Sequence, residues 1–310
     1  MDAILSCQDL TKLYGTVIGV NDVSIELEPG VHGILGPNGA GKSTLIKLIT
    51  GQLRPTEGTV RVLGQDPWNN PGLMARVGYC PEHDAFWSFL SGFKFVEVLA
   101  SMSGLSASEA AERASAALAR VGATDYMHRA ISTYSKGMRQ RTKLAQAIVH
   151  DPDLILLDEP LSGTDPVGRH EMMDLVQSLG DEGTSILVSS HVMHEVQAMT
   201  NRFLLIFGGR VLAAGDVREV RDLLYEVPHR IRVVCDDPRA LARGVAGEEA
   251  VRGVEVEAER GELWVTTREP RALLSSLPSI AQTANVKLLE FGSEDESLDA
   301  VFAYLVGEGR

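Results

Sequence analysis

Gly36-Pro37-Asn38-Gly39-Ala40-Gly41-Lys42-Ser43 is the stretch that decides how this 310-residue chain reads. It fits the pattern G-x-x-x-x-G-K-[ST], and its flanks suit that pattern. Before it, Val31 to Leu35 reads as a strand; after it, Ser43 to Thr50 has helical spacing, with Leu45, Ile46, Leu48 and Ile49 apolar. Glycines at these places let backbone N–H groups turn inward as an anion-binding nest at a helix N-terminus. Lys42 then reaches the outer phosphates of a nucleotide, and Ser43, with Thr44 beside it, offers a hydroxyl to Mg2+.

Working outward, a second signal is Leu154-Ile155-Leu156-Leu157-Asp158-Glu159, four apolar residues followed by two acids. A buried strand ending there holds the Asp158 carboxylate beside a Mg2+ site and sets Glu159 to polarise an attacking water. Alone this motif is weak; paired with the phosphate cradle it indicates a nucleotide-hydrolysing site. Around the two signals, strands read at Ile4 to Leu10, Val17 to Leu27, Thr59 to Leu63, Val77 to Cys80 and Ser185 to Ser189. Helical patterns fall at Ala107 to Val121, Lys136 to Val149, Val167 to Leu179 and His194 to Met199. Such alternation predicts an α/β fold with a mostly parallel sheet between helices, and a helical subdomain over about 85–150.

From about residue 225 the texture changes. Ile231 to Val234 reads as a strand, Pro238 to Arg243 as a helix, Val251 to Glu257 and Leu263 to Thr267 as strands. A helix from Arg271 and a strand over Val286 to Phe291 complete a β-α-β-β-α-β order, the ferredoxin-like split unit. The expected organisation is a nucleotide-binding domain over 1–224 and a small α+β accessory domain over 225–310, with Leu298 to Leu305 packing as a terminal helix.

Composition excludes several classes. A net charge of −13 argues against a general phosphate-backbone binder, so no nucleic-acid partner is expected. Cys7, Cys80 and Cys235 lie far apart without a metal-ligand or redox spacing, and read as small buried hydrophobes. Apolar stretches such as Phe203 to Phe207 are far too short to span a bilayer, and the start of the chain carries no secretory pattern, so a cytoplasmic protein is expected.

Further motifs stand in a telling order. Val77-Gly78-Tyr79-Cys80-Pro81-Glu82 precedes Tyr134-Ser135-Lys136-Gly137-Met138-Arg139-Gln140-Arg141; then follow the acidic strand, Ser162-Gly163-Thr164-Asp165, and His191 after Ile186-Leu187-Val188-Ser189-Ser190. Over its first 220 residues or so the chain resembles the ABC ATPase family. The resemblance implies that Tyr14 stacks on adenine, that Glu82 stands where many relatives place a glutamine that meets Mg2+ and the attacking water, and that His191 is the switch histidine at the γ-phosphate. It implies also that Ser135 and Gly137 serve ATP bound by a second copy, so that two chains close head to tail on two ATP molecules, and that Asp165, in a run like the family's D-loop, is among the nucleotide-binding residues. Tyr14 packing on its own loop and His191 as a structural histidine are the plainer readings of those residues.

The signature departs from the commonest form at Tyr134, Lys136 and Met138, and its Ser-Lys-Gly-Met run is similar to the ABC-2-type exporter branch, in which the permease is a separate chain. The tail from Glu296 to Val306 resembles the same branch. That resemblance implies a homodimer of ATPase subunits held on the cytoplasmic face of a membrane by a permease. Phe86-Trp87-Ser88-Phe89-Leu90 either meets that permease or packs under the helical subdomain. The alternatives are a non-transport regulatory ATPase of the same type, a soluble ABC-type ATPase of translation or DNA repair, and a P-loop kinase, which gives no reason for the signature or for His191.

Overall fold

The computed structural model describes residues 3–216 and 229–293. The terminal segment Leu298 to Leu305 and the boundary at 224/225 lie outside the described residues. The chain divides into two compact units, residues 1–216 and 217–310.

The first unit begins with three strands, β1 (Leu5–Tyr14), β2 (Val17–Leu27) and β3 (Val31–Leu35), then helix α1 (Lys42–Ile49). Next come β4 (Glu57–Val62), the single turn α2 (Pro71–Met74) and β5 (Val77–Cys80). Three helices follow, α3 (Gly92–Met102), α4 (Ala107–Arg120) and α5 (Lys136–Ile148). The unit closes with β6 (Leu154–Asp158), α6 (Pro166–Asp181), β7 (Ser185–Ser190), α7 (Met193–Met199), β8 (Arg202–Phe207) and β9 (Arg210–Asp216).

Two sheets form. One has the order β5-β6-β7-β3-β8-β9 and is parallel except for its last pair; the other is an antiparallel β2-β1-β4 sheet. The central strands show why an unbroken apolar run is needed. Leu154 and Leu156 enter the core shared with α1 and the antiparallel sheet, while Ile155 and Leu157 enter the core of the helical side. Successive side chains point to opposite faces, so a strand covered on both must be apolar at every position. In β7, Leu187 joins the first core and Ile186 and Val188 the second.

The helices carry their own starts. Ser106 and Glu109 close a capping box on α4, whose Ala110, Ala114, Ala117 and Leu118 make its buried stripe. Ser135 caps α5 and Asp165 caps α6, each accepting from the backbone N–H three residues on.

In the second unit, β10 (His229–Cys235), α8 (Pro238–Val245), β11 (Val251–Glu257), β12 (Glu262–Thr267), α9 (Pro270–Thr283) and β13 (Leu288–Ser293) follow one another. The sheet order β11-β12-β10-β13, antiparallel throughout, is that of the ferredoxin-like unit expected from the sequence. Ile231, Val233, Leu263 and Val265 meet Leu241 and Leu277 of the two helices in a separate core.

All three cysteines are free and buried, and burial pushes the Cys7 and Cys80 thiols up to about 12, as inert apolar side chains. No helix among the described residues is long and apolar enough to cross a membrane.

Candidate functional site

Strand β3 ends at Leu35 and the chain turns through the glycine loop into α1. Two glycines are fixed there by backbone geometry. A Cβ on Gly36 would come within 2.2 Å of the Ile206 carbonyl oxygen, and Gly41, at φ 112°, would drive one to 2.5 Å from the Gly19 carbonyl oxygen. The loop, from Pro37 through Gly39 and Ala40 to Thr44, forms one wall of an open cleft of about 420 Å³. Tyr14, Val17, Ile18 and Gly19 line it on one side, and Glu82 and Glu159 close the other.

Lys42 is almost fully buried and donates to the carbonyls of Gly36 at 2.7 Å and Pro37 at 3.3 Å. Its Nζ also lies 3.1 Å from Glu159 Oε1. That pairing neutralises a buried ammonium and a buried carboxylate that neither could tolerate alone. The three donors of the ammonium thus face three acceptors, the two loop carbonyls and Glu159 Oε1. The other oxygen, Oε2, is 2.9 Å from His191 Nδ1.

Glu159 is held at φ 50°, outside the strand geometry of β6 that ends one residue earlier. A non-glycine residue in the left-handed region marks a position where the surroundings dictate the backbone. Here the surroundings are visible. The Glu159 N–H donates to Ser189 Oγ at 2.9 Å, and that hydroxyl donates to Asp158 Oδ1 at 2.7 Å. One serine at the end of β7 thus orients both acids at the end of β6. Its neighbour Ser190 donates to buried Glu195, which pairs with Arg169 of α6 at 3.1 Å.

The cradle residues Gly36, Pro37, Asn38, Gly39, Ala40, Gly41, Lys42, Ser43 and Thr44 therefore share a region with Tyr14, Glu82, Glu159 and His191. Tyr14 is about half exposed and lies against Gly19, where an added Cβ would meet its ring at 2.8 Å. Lys12 Nζ sits 5.8 Å from the ring centroid. Asp158 is fully buried behind the cleft rather than on its wall. The hard oxygens of Ser43 and Asp158 are the donor types Mg2+ takes, together with phosphate oxygens.

Ser135, Gly137 and Asp165 do not line the cleft. Ser135 accepts from the Met138 N–H at 3.2 Å, and Gly137 faces open space. The Gly168 N–H donates to Asp165 at 2.9 Å and holds its carboxyl below the usual carboxylate range. In the 82–90 segment, Asp84 pairs with Arg139 and Lys143. Phe86 and Trp87 both pack edge-on against Phe95, whereas Phe89 is 79% exposed. Sequence reasoning missed Ser189, Ser190, Glu195 and Lys143; two serines closing an otherwise apolar strand before His191 were the available signal.

The family model for the ABC transporter domain matches residues 20–162. The daunorubicin/doxorubicin resistance ATP-binding protein DrrA of Streptomyces peucetius is 33% identical over 300 residues, covering 96% of this chain and 91% of that protein. The Nod factor export ATP-binding protein I of Cupriavidus metallidurans is 33% identical over 280 residues, covering 89% of this chain and 90% of its own. Among solved structures, cbiO1 of Clostridium perfringens, part of the ABC transporter complex cbiONQ, superposes with a TM-score of 0.63 at 28% identity. It covers 72% of this chain and 92% of its own.

Proposed function

This chain belongs to the ABC transporter family of ATP-binding proteins, and from that premise we propose that it hydrolyses ATP to drive export through a separate membrane permease. The observation that carries the hydrolytic part is the Lys42–Glu159–His191 chain beside the glycine cradle. In this reading ATP takes over the Lys42 ammonium, which leaves the Gly36 and Pro37 carbonyls for the outer phosphates. Glu159, freed of its cation, accepts a proton from the attacking water, and His191 keeps the carboxylate aimed. Ser43 and Asp158, with Glu82 at the cleft wall, hold Mg2+, which neutralises phosphate charge. Tyr14 stacks on the adenine.

Export as the coupled process is supported by the names of relatives that cover nearly their whole length, among them the drug-resistance and Nod factor export proteins. A homodimer is supported by the position of Ser135, Gly137 and Asp165, off the cleft and on helix N-termini that offer donors to an anion. We assign 1–224 as the nucleotide-binding domain, with the helical subdomain over about 85–150, and 225–310 as the accessory domain. The exposed Phe89 side chain and half-exposed Trp87 are the apolar face offered to the permease, which holds the chain at the cytoplasmic side of the membrane.

The test is affinity purification of the chain from detergent-solubilised native membranes, with partners identified by mass spectrometry. A polytopic membrane protein in about equal amount is expected. Recovery of an active ATPase with no membrane partner would sink the exporter reading and favour a regulatory ATPase.

A further inference from the structure

Strand β7 ends on two serines that serve different partners, because successive side chains of a strand point to opposite faces. Ser189 turns towards β6, where it meets Asp158 and the Glu159 N–H. Ser190 turns towards α7. Its hydroxyl donates to Glu195 Oε2 at 3.0 Å and accepts from the Val192 N–H at 3.0 Å. These two bonds fasten the chain immediately before and immediately after His191.

Glu195 is buried in the first turn of α7, and Arg169 Nη1 stands 3.1 Å from its Oε1. The Arg169 Nη2 donates in turn to the Thr164 carbonyl at 3.5 Å. With Oε1 claimed by the cation, Oε2 takes the Ser190 proton, and the hydroxyl lone pairs are left for the Val192 N–H. A partner able to donate would let the hydroxyl turn round, and the turn about His191 would lose its closure. The imidazole itself is about half exposed, so packing does little to aim it. Its direction comes from the backbone that carries it and from Glu159 Oε2, 2.9 Å from Nδ1.

Stability is not reason enough for this network. Replacing a buried ion pair by apolar residues of similar volume is often neutral or stabilising, and Arg169 Nε is buried here without a partner. We propose that Glu195, held by Arg169, is a positioning residue for ATP hydrolysis, acting through Ser190 on the backbone of His191 so that the imidazole meets Glu159. The proposal rests on the reading of Glu159 as the base and of His191 as the group that aims it. Neither Glu195 nor Arg169 lines the nucleotide cleft, so their effect falls on turnover rather than on binding. A misplacement of about 1 Å at a reacting group costs roughly 10²-fold in rate, so a small shift of the turn is enough.

The test measures kcat, KM, ATP affinity by nucleotide titration and melting temperature in the full-length chain. The variants are Ser190→Ala, Glu195→Gln and His191→Ala, with each of the first two also combined with the third. Glu195→Gln leaves Arg169 without its anion and is the variant at risk of not folding; Ser190→Ala removes one hydroxyl and no charge, which keeps the test intact. His191→Ala should lower kcat by about 10²-fold. Ser190→Ala and Glu195→Gln should each lower it by roughly five- to fifty-fold, with ATP affinity within about twofold of the parent. In the His191→Ala background either change should cost less than about twofold more, because the imidazole through which both act is gone.

An undiminished fall in the His191→Ala background overturns the proposal, since it marks a route to the chemistry other than the imidazole. A fall in kcat matched by losses of ATP affinity and melting temperature also overturns it, as the sign of a pair that only supports the fold. Parent turnover in His191→Ala would remove the reading of that histidine and the proposal with it; a large effect there, with parent turnover in Ser190→Ala and Glu195→Gln, overturns the proposal alone.

Discussion

The two units of this chain are both sheets covered by helices, yet they bury different chemistry. The first buries Lys42, Lys143, Asp158, Glu159, Ser189, Ser190 and Glu195. Among the described residues of the second, Thr267 alone is a buried polar side chain, and its hydroxyl donates to the Ala250 carbonyl. The charges of the second unit are paired where water reaches them, as Arg232 with Glu262 and Glu290, and Arg230 with Glu255. Ionisable groups are expensive to desolvate, so a fold retains them inside where chemistry requires them. By that measure the first unit is a machine for an anion and the second is a packed body whose own chemistry is slight.

The sharpest way to break this contrast is to remove one buried charge. Glu159→Gln keeps the size of the side chain and its contacts with Lys42 and His191 in reach, but removes the basicity. ATP hydrolysis should fall by about 10²–10⁴-fold, while ATP binding is retained, read by phosphate release and by nucleotide titration. Turnover at the parent rate would move the base elsewhere.

Leu263→Ala probes the other side of the comparison. Leu263 is fully buried in the second unit's core. Its truncation should cost about 2–5 kcal/mol of that unit's stability in denaturant unfolding, and should leave ATP affinity where it was. A large loss of affinity would show that the second unit takes part in nucleotide binding after all.

Lys42→Ala should weaken ATP binding by roughly ten- to a hundredfold, the worth of charged hydrogen bonds to phosphate. It also leaves Glu159 buried without its cation, so some loss of melting temperature accompanies the loss of affinity. Binding at the parent level would mean that the backbone nest alone holds the phosphates.

Much of the first unit is legible because its decisive signals are local. The cradle is eight consecutive residues, and Leu154 to Leu157 announces a strand covered on both faces. Strands over Val17–Leu27, Val31–Leu35, Val77–Cys80 and Val251–Glu257 are found where their β-branched runs predict. The separation of β1, β2 and β4 into their own sheet was not legible, since Leu5 pairs with Val62 across more than fifty residues. Nor was the hairpin of β8 and β9, whose Phe203 to Phe207 read only as an apolar stretch. The individual groups Lys42, Glu159 and His191 could be named from motifs, but Ser189, Glu195 and Lys143 gain meaning only through partners distant in sequence or placed by the turn of a helix. Long-range hydrogen bonds leave no periodicity to read.

The smallest expected effect is the most informative about what the exposed carboxylate at the cleft does. Glu82 brings a second carboxylate to the cleft beside Glu159, and its side chain is 44% exposed. Its backbone carbonyl, not its carboxylate, receives the Lys143 ammonium, so Glu82→Gln leaves that attachment whole. Water screens an exposed charge, and the amide can still accept from a water or meet Mg2+ through its oxygen. Turnover should therefore change by less than about fivefold, in a direction set by two opposed effects: relief of repulsion from the phosphates and loss of an anionic ligand for Mg2+. Titrating Mg2+ separates them, because loss of a ligand raises the concentration of Mg2+ needed for half-maximal turnover and relief of repulsion lowers the concentration of ATP needed. If turnover instead collapsed towards that of Glu159→Gln, two carboxylates would share the work at this site, and the exposed one would be as much a part of the chemistry as the buried one.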